Sequence, residues 1–231
     1  TSVTDEPRAA ITALRALTTV GDDVSPPEPI AGTPETWGIP MLAGELAATP
    51  DEAVAAARRC GFPVVMKAEA DGLLHKTELG LVLLGITDEQ EARSAFEELA
   101  ARALAAGFES ARARVQRWCP GVEVIVGGIV HETLGPMVSV GLGGVMAELI
   151  SDVVFAPAPL GQAAAGRLID RLSGRRLLDG FRGAPPADVA LLADIVSLVS
   201  RGIAAGAVAE FEINPLVWDG EAWVALDWLV A

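Results

Sequence analysis

The sequence has 231 residues, 51% of them hydrophobic, and a net charge of -14 from 17 Lys+Arg and 31 Asp+Glu. This excess of negative charge disfavours binding to the phosphate backbone of nucleic acid or to anionic lipid. No apolar run reaches the roughly 18 residues that a membrane-spanning helix needs. We therefore expect no nucleic-acid and no membrane partner. Anionic small molecules stay open, because lysines, backbone N–H groups and a divalent cation can hold a nucleotide locally.

Residues 1–36 are predicted to form a short helix and a linker. Residues 7–17 have a helical pattern, and residues 18–36, "TTVGDDVSPPEPIAGTPET", combine proline, glycine and acidic residues without periodicity. A linker so near the start suggests that this chain is the C-terminal part of a larger protein.

The compartment is indicated by the cysteines and by the N-terminus. Cys60 and Cys119 are too few for a disulfide scaffold, and the first residues lack the basic-then-apolar pattern of a secretory signal. We therefore expect free thiols and a cytoplasmic protein.

Residues 37–120 are predicted to form a small α+β lobe. Thr49 and Glu52 have the spacing of a capping box at the start of a helix, and Thr87 and Gln90 have the same spacing before a second helix. Between these helices, "PVVMK" and "GLVLLG" are typical of buried strands.

Residues 121–231 are predicted to form a second, larger lobe. The segments "VEVIVGGIVHE", "MVSVGLGG" and "SDVVFAPAPL" are rich in β-branched residues, and helices are predicted at residues 162–173 and 188–204. The chain then closes with "AEFEINPLVWDGEAWVALDWLV", two strands around an Asp219–Gly220 turn. The predicted fold class is α+β, with two lobes.

The final hairpin carries oxygen-donor side chains. Glu212 and Asn214 are two residues apart, so they share one face of a strand, and the hairpin returns Asp227 beside them. Carboxylate and amide oxygens suit Mg2+ bound together with nucleotide phosphates. The alternative is that all three are solvated residues on the polar face of an edge hairpin.

Two further features suggest an anion site. Lys67 ends the "VVMK" strand, where its ammonium group can meet a phosphate or simply reach solvent. The turn "VGLGGV", residues 140–145, can bring backbone N–H groups close to a ligand, although a bulge or tight turn explains its glycines equally well.

The segment "GLLHKTELG", residues 72–80, contains His75, one of two histidines in the chain. An imidazole on a mobile segment can accept and return a phosphoryl group, and Lys76 can neutralise that group. The competing interpretation is a hydrogen-bonded structural histidine. His131 lies in a strand pattern without such neighbours, and we assign it a structural role.

Four segments together resemble a known family. They are "GFPVVMKAEADGLLHKTELG", "GVEVIVGGIVHETLGPMVSVGLGGVMAELISDVVFAPAPL", "LLDGFRGAPPAD" and "FEINPLVWDGEAWVALD", in this order. The chain is similar in them to the ATP-grasp domain of NDP-forming acyl-CoA synthetases, the relatives of ADP-forming acetyl-CoA synthetase and of the succinyl-CoA synthetase β chain.

The resemblance implies an ATP-grasp fold of two α/β lobes with a nucleotide cleft between them. It implies a part of an enzyme that converts acid, CoA and ATP to acyl-CoA, ADP and phosphate through phosphohistidine. The partners implied are a CoA-binding and ligase domain or subunit, nucleotide and acyl phosphate, and the cofactors are ATP or ADP and Mg2+. The implied catalytic residue is His75. The nucleotide-binding set is Lys67, Lys76, Glu123, Gly143 and Gly144, and the metal ligands are Glu212, Asn214 and Asp227.

The chain departs from the family pattern at four positions, one of which is Leu81, where a second glycine is common in the family. Arg117 follows the hinge glutamine, Ala156 stands where many members have arginine, and Trp228 follows the closing aspartate. These departures keep two alternatives open. One is a degenerate ATP-grasp module that binds a ligand or partner without turnover, and the other is a different ATP-grasp ligase, which has no need of His75.

Overall fold

The computed structural model describes residues 34–73, 76, 79–144, 151–206 and 208–230. The predicted helix at residues 7–17 and most of the predicted linker lie outside these residues. The described chain divides into two compact units, a smaller one of residues 42–119 and a larger one of residues 34–41 and 120–230. Residues 37–41, which we expected in the small lobe, thus belong to the larger unit, because Trp37 and Ile39 are buried in its core. Within the described residues, no helix has the length and apolar character needed to cross a membrane.

The smaller unit has one antiparallel sheet with the strand order β1-β4-β2-β3. Two helices cover one face of this sheet, and Met66 and Val115 are fully buried beneath them with Phe96 and Leu99. The elements are β1 (Gly44–Ala47), α1 (Pro50–Cys60), β2 (Val64–Glu69), β3 (Val82–Ile86), α2 (Glu89–Ala105) and β4 (Arg112–Arg117).

Helix α1 begins as the capping-box pattern predicts. Thr49 Oγ1 accepts a hydrogen bond from the Glu52 N–H at 3.2 Å, and Glu52 Oε2 accepts one from the Ala48 N–H at 2.7 Å. The helix ends at Gly61, which has a positive φ of 81° and whose N–H bonds to the Ala57 carbonyl. The side chains of Thr49 and Glu52 and the Gly61 N–H thus bond to main-chain groups that have no partner within the helix.

The predicted capping box of helix α2 is wrong by one residue. The N-cap is Asp88, whose Oδ1 accepts from the Glu91 N–H at 2.8 Å. Glu91 Oε2 reaches back to the Thr87 N–H at 2.7 Å, so Thr87 and Gln90 do not form the box. Asp and Thr are both favourable N-cap residues. Asp88 is the N-cap here because Glu91, three residues after it, has the carboxylate that can bond back to the preceding main chain.

The larger unit has an antiparallel sheet with the order β10-β8-β5-β6-β7, and β9 also pairs with β8. Its helices α3 and α4 cover one face, where Val126, Val140, Phe211 and Ile213 are fully buried. The elements are β5 (Val122–His131), β6 (Gly135–Leu142), β7 (Val153–Pro157), α3 (Gln162–Ile169), α4 (Val189–Ala204), β8 (Glu210–Trp218), β9 (Trp223–Ala225) and β10 (Trp228–Val230), with short 3-10 helices at Pro34–Trp37, Arg175–Asp179 and Phe181–Gly183.

The closing hairpin is confirmed, and it contains a bulge that the sequence did not predict. Asp219 Oδ1 accepts the N–H groups of the two residues after Gly220, which has a φ of 105°. Further along β8, Leu216 pairs with Val124 and Ile213 pairs with Val126. Residues 214 and 215 therefore lie opposite a single residue of β5, which is the definition of a β-bulge.

Candidate functional site on the helix-free faces

The predicted ligands of the larger unit lie on the face of its sheet that carries none of the described helices, and for each sheet we call this the helix-free face. Val124 and Val126 on β5 point into the core beneath α3 and α4. Because side chains alternate along a strand, Glu123, which directly precedes Val124, points to the other face. Phe211 and Ile213 on β8 also point into the core, so Glu212 and Asn214 lie on the same helix-free face. The sheet thus presents these predicted residues together.

The bulge brings Asp227 beside Asn214. The Asn214 N–H donates to the Asp227 carbonyl at 3.0 Å, and Asn214 Nδ2 donates to Glu212 Oε1 at 3.1 Å. Asp227 falls between β9 and β10, where its Oδ1 accepts from the Trp228 N–H at 3.0 Å. Asp227 is therefore a main-chain neighbour of Asn214, whose side chain bonds to Glu212, and the convergence of all three on one cation stays a prediction.

A cation at this place would need further ligands besides these three side chains. Among the described residues, no three His, Cys, Asp or Glu side chains are grouped so that they could hold a metal ion by themselves. Hard cations such as Mg2+ favour about six oxygen ligands and commonly share them with substrate phosphates. The chemistry of Glu212, Asn214 and Asp227 fits such a shared site, and their role as metal ligands stays a prediction.

Glu123 packs against the glycine turn at the end of β6. The Gly143 N–H donates to the Glu123 carbonyl at 2.8 Å. A Cβ atom at Gly143 would lie 2.9 Å from Glu123 Cβ, and one at Gly144, whose φ is +60°, would lie 2.8 Å from Glu123 Oε2. The turn therefore needs glycines for close packing, which is a structural reason for "GG". The predicted contact of Glu123, Gly143 and Gly144 with nucleotide is not tested by this packing.

Lys67 occupies the corresponding face of the smaller sheet. Its neighbours Met66 and Ala68 are buried under the helices, so Lys67 points to the helix-free face, where it is only 7% exposed. Arg114 on β4 is its direct cross-strand partner. A lysine that is buried at this level is more restricted than the solvent-reaching lysine that we considered from the sequence.

Lys76 lies in a different environment from Lys67. Its carbonyl accepts the Leu81 N–H at 2.7 Å. It lines a cavity of about 560 Å³ in the smaller unit whose charged lining includes Glu69, Asp71, Glu109 and Arg112. The lining is not specifically cationic, so the predicted contact of Lys76 with a phosphoryl group has no independent support from this cavity.

His75, the predicted catalytic residue, lies outside the described residues. Gly72 and Gly80 on either side of it have positive φ values of 75° and 65°. His131 has the structural role that we assigned to it, because its Nδ1 accepts the N–H groups of Thr133 and Leu134 at 3.2 Å each and thereby shapes the β5–β6 turn.

The departure at Ala156 affects packing, not the helix-free face. Ala156 pairs with Val138, and both are fully buried in the core beneath the helices. Arginine is therefore replaced here at a position that points away from Glu212 and Asn214. Arg117, in contrast, is exposed at the end of β4.

Two surface ion pairs account for the perturbed acids of the smaller unit. Hydrogen bonding to Arg58 lowers the pKa of Glu89, and hydrogen bonding to Arg59 lowers the pKa of Glu45. Burial, followed by the nearby Glu45 charge, raises the pKa of the Cys60 thiol. Cys60 and Cys119 are both thiols in the structure. These groups support the lobe and do not belong to the candidate site.

One charged group on the helix-free face of the smaller sheet was not predicted from the sequence. Arg114 bonds to both carboxylate oxygens of Glu69, one of them at 2.9 Å. The segment "RARVQR" that forms β4 alternates small, apolar and charged residues, and this period of two was its available signal.

Comparison with known proteins shows the protein family to which the chain belongs. A family model described as an ATP-grasp domain matches residues 33–231, and this match confirms the predicted fold class. Trans-feruloyl-CoA synthase FCS1 from an unidentified prokaryote is 36% identical over 199 residues, which are 84% of this chain and 28% of that protein. The β subunit of acetate–CoA ligase [ADP-forming] I from Pyrococcus furiosus is 33% identical over 195 residues, 83% of this chain and 84% of that subunit.

A solved relative supports the same assignment. The dinucleotide-forming acetyl-coenzyme A synthetase 1 of Ca. Korarchaeum cryptofilum matches with a TM-score of 0.73 and 33% identity, over 85% of this chain and 87% of that chain, in a complex with coenzyme A, Ca-AMPCP and HgCl+. Another structure of that protein contains coenzyme A and Mg-AMPPCP and matches with a TM-score of 0.66. The chain thus belongs to the ATP-grasp domains of the ADP-forming acyl-CoA synthetase family. It spans 28% of the length of the feruloyl-CoA synthase.

Proposed function

We propose that this chain is the nucleotide-binding and phosphoryl-transfer part of an ADP-forming acyl-CoA synthetase. The complete enzyme would convert an acid, CoA and ATP to acyl-CoA, ADP and phosphate. The observation that carries the proposal is the side-chain bond between Asn214 and Glu212, with Asp227 as the main-chain neighbour of Asn214, on the helix-free face of the larger sheet. Membership of the ATP-grasp family supports a nucleotide as the ligand of these oxygen donors.

In this proposal the three side chains hold Mg2+ against the phosphates of ATP or ADP. Magnesium neutralises phosphate charge and orients the terminal phosphoryl group for in-line transfer. Lys67 presents its ammonium group to the phosphates from the helix-free face of the smaller sheet, and a low exposure strengthens such a charge-assisted contact. Glu123 and the Gly143–Gly144 turn complete the nucleotide-binding set of the larger unit.

The phosphoryl acceptor in this proposal is His75. Attack by an imidazole nitrogen on the γ-phosphorus of ATP forms a P–N bond and breaks the P–O bond to ADP, and the reverse step regenerates ATP. In a structure of the Ca. Korarchaeum cryptofilum synthetase, the phosphohistidine segment points towards the nucleotide-binding site.

The second half of the reaction requires a partner. A CoA-binding and ligase domain or subunit would transfer the phosphoryl group from His75 to the acid, which gives an acyl phosphate and free His75, and CoA would then displace phosphate from it to form acyl-CoA. The feruloyl-CoA synthase is more than three times as long as the part that this chain matches, whereas the Pyrococcus furiosus relative is a separate β subunit.

The two thiols fit a reducing compartment, and we place the activity in the cytoplasm.

Two measurements test the proposal. Calorimetry on the chain should detect binding of Mg-ADP and Mg-ATP. With its ligase part present, the chain should acquire an acid-labile, base-stable phosphoryl group from labelled ATP, and His75→Ala should abolish this label. The control is His131→Asn, which keeps an acceptor for the turn and should be labelled normally. Nucleotide binding with neither labelling nor acyl-CoA synthesis would favour the binding module without turnover, and undiminished acyl-CoA synthesis by His75→Ala would favour another ATP-grasp ligase.

A further inference from the structure

A row of three residues crosses β6, β5 and β8 of the larger sheet. Ser139 on β6 pairs with Gly127 on β5, and Gly127 pairs with Glu212 on β8. All three belong to the larger unit. Neighbouring strands are about 4.8 Å apart, so the Cα atoms of Ser139 and Glu212 are about 10 Å apart. A hydroxyl group therefore lies two strands away from a carboxylate of the proposed metal site.

The three residues of this row lie on the helix-free face. Ser139 stands between two fully buried valines of the core, so its own side chain points away from the helices. A Cβ atom at Gly128 would lie 2.4 Å from Ile203 of helix α4, so Gly128 faces the helices and Gly127 faces the other side. Glu212 shares that side, as its buried neighbours on β8 show.

The Ser139 hydroxyl leans over Gly127 towards β8. Ser139 Oγ lies 2.9 Å from the position that a Cβ atom at Gly127 would occupy. Directly paired residues have Cβ atoms about 4.5–5.5 Å apart, so this short distance places Oγ on the side of Ser139 that faces Glu212. Ser139 Oγ makes no hydrogen bond to any residue that the structure describes. Its O–H group is therefore available to a ligand beside Glu212.

Packing within the described chain does not explain why residue 127 is glycine. Glycine in the interior of a strand weakens the strand and often marks the close approach of a ligand, and β5 has ten residues. Among the described residues, the atoms nearest to a Cβ at Gly127 would be Ser139 Oγ at 2.9 Å and the Phe211 carbonyl oxygen at 3.7 Å. A serine hydroxyl can rotate to another staggered position, so alanine would fit here if Oγ moved. At Gly128, in contrast, three atoms of Ile203 lie within 3.4 Å of such a Cβ.

A phosphate group beside Glu212 needs a hydrogen-bond donor. The carboxylates of Glu212 and Asp227 can hold Mg2+, but they repel the phosphate oxygens that Mg2+ does not bind. A hydroxyl group that donates to such an anionic oxygen makes a charge-assisted hydrogen bond. Ser139 can supply this donor from the β5 side of β8, whereas Asp227 lies on the β10 side.

We propose that Ser139 is a further phosphate-binding residue, whose hydroxyl donates to a phosphate oxygen of the Mg-nucleotide in the space above Gly127. The inference rests on the proposed function, because it takes as its ligand the nucleotide whose Mg2+ Glu212 holds. Gly127 has two roles in this arrangement. It leaves room for Ser139 Oγ to lean towards β8, and it leaves room for the phosphate oxygen itself.

Threonine and valine at position 139 separate the hydroxyl group from the shape of the side chain. Both residues are branched at Cβ and suit a strand, and only threonine keeps the hydroxyl group. Ser139→Thr should bind Mg-ATP within about threefold of the wild type. Ser139→Val should bind it at least about tenfold more weakly, because it loses a hydrogen bond to a charged group. Gly127→Ala should also weaken binding about tenfold, because the new Cβ displaces Oγ and fills the space of the phosphate oxygen.

Calorimetry of the full chain with Mg-ADP and with Mg-ATP, together with Tm for each variant, tests the inference. A loss with both nucleotides supports it, and a loss with Mg-ATP alone supports it and assigns the contact to the γ-phosphate. Equal affinities of Ser139→Thr and Ser139→Val for Mg-ATP would overturn it, and so would wild-type affinity in Gly127→Ala. Ser139→Ala, compared with the wild type, repeats the test if Ser139→Val does not fold.

The failure of this inference is distinguishable from the failure of the proposed function. If the wild type binds neither Mg-ADP nor Mg-ATP, both are overturned. If the wild type binds them and Ser139→Val binds them equally well, only the role of Ser139 is overturned.

Discussion

Replacing Asp227 by asparagine separates the charge of this side chain from its structural contacts. Asp227 Oδ1 accepts the Trp228 N–H at 3.0 Å, and the amide oxygen of an asparagine can accept the same bond. The bond from the Asn214 N–H to the Asp227 carbonyl at 3.0 Å belongs to the main chain and does not depend on the side chain. We therefore expect Asp227→Asn to change the free energy of unfolding by less than about 1 kcal/mol.

The effect on ligand binding should be much larger. Asp227→Asn removes one of the two carboxylate charges that would meet Mg2+, and a contact with a charged group contributes about 1.5–3 kcal/mol. This corresponds to Mg-ADP binding that is weaker by about 10- to 150-fold. Calorimetry measures the affinity, and a thermal melt without ligand measures the stability of the same variant.

Asp219→Asn is the matched control for this prediction. Asp219 Oδ1 accepts the N–H groups of Glu221 and Ala222 at 3.0 and 2.9 Å at the opposite end of the same hairpin. The control makes the same chemical change and should leave Mg-ADP affinity unchanged. Equal affinity in wild type and Asp227→Asn, or an equal loss in both variants, would refute the assignment of Asp227 as a metal ligand.

Two further predictions concern packing and pH. Gly128→Ala should lower the free energy of unfolding by about 1–3 kcal/mol, because the new Cβ would lie 2.4 Å from a side-chain atom of helix α4. Gly166→Ala in helix α3 should raise it by about 0.5–1 kcal/mol, because the new Cβ would meet nothing within 4 Å. Urea denaturation of both variants measures the difference, and equal effects would contradict the packing at β5. The Arg58 hydrogen bond lowers the pKa of Glu89, so its stabilisation is present above the ordinary glutamate pKa of about 4.3 and is lost as pH falls through the lower folded pKa. Arg58→Gln should raise the pKa of Glu89 in an NMR titration, and an unchanged titration would show that the pair does not persist in solution.

Elements with a strong local pattern could be predicted from the sequence, and elements defined by their partners could not. Helix α1 has both cap signals next to each other, and the structure uses them. Strand β4 was missed because "RARVQR" has only two apolar side chains in six residues, and its place between β1 and β2 comes from long-range pairing. Helix α3 ends at Ile169, four residues before its predicted end, because the following residues turn back to bond through Ser173 and Gly174 with the Asp152 carboxylate.

The candidate site divides in the same way. The period of two in a strand and the Asp–Gly turn were enough to predict the hairpin that makes Asp227 a main-chain neighbour of Asn214, and the shared cation of Glu212, Asn214 and Asp227 stays a prediction. Arg114 and Glu69 are 45 residues apart in sequence, and no local pattern joins them. Their pairing depends on the register of β2 against β4, which only the assembled sheet defines.

The β8 bulge allows this site to be studied with a one-residue deletion. The residues of β8 that enter the core beneath the helices, Phe211, Ile213, Leu216 and Trp218, are spaced by two, three and two positions. Deleting Pro215 would reduce the middle interval to two and leave every one of these apolar side chains on the core side of a regular strand. A one-residue deletion, normally among the most damaging changes in a sheet, would here straighten the strand under Asn214 and leave the core composition intact.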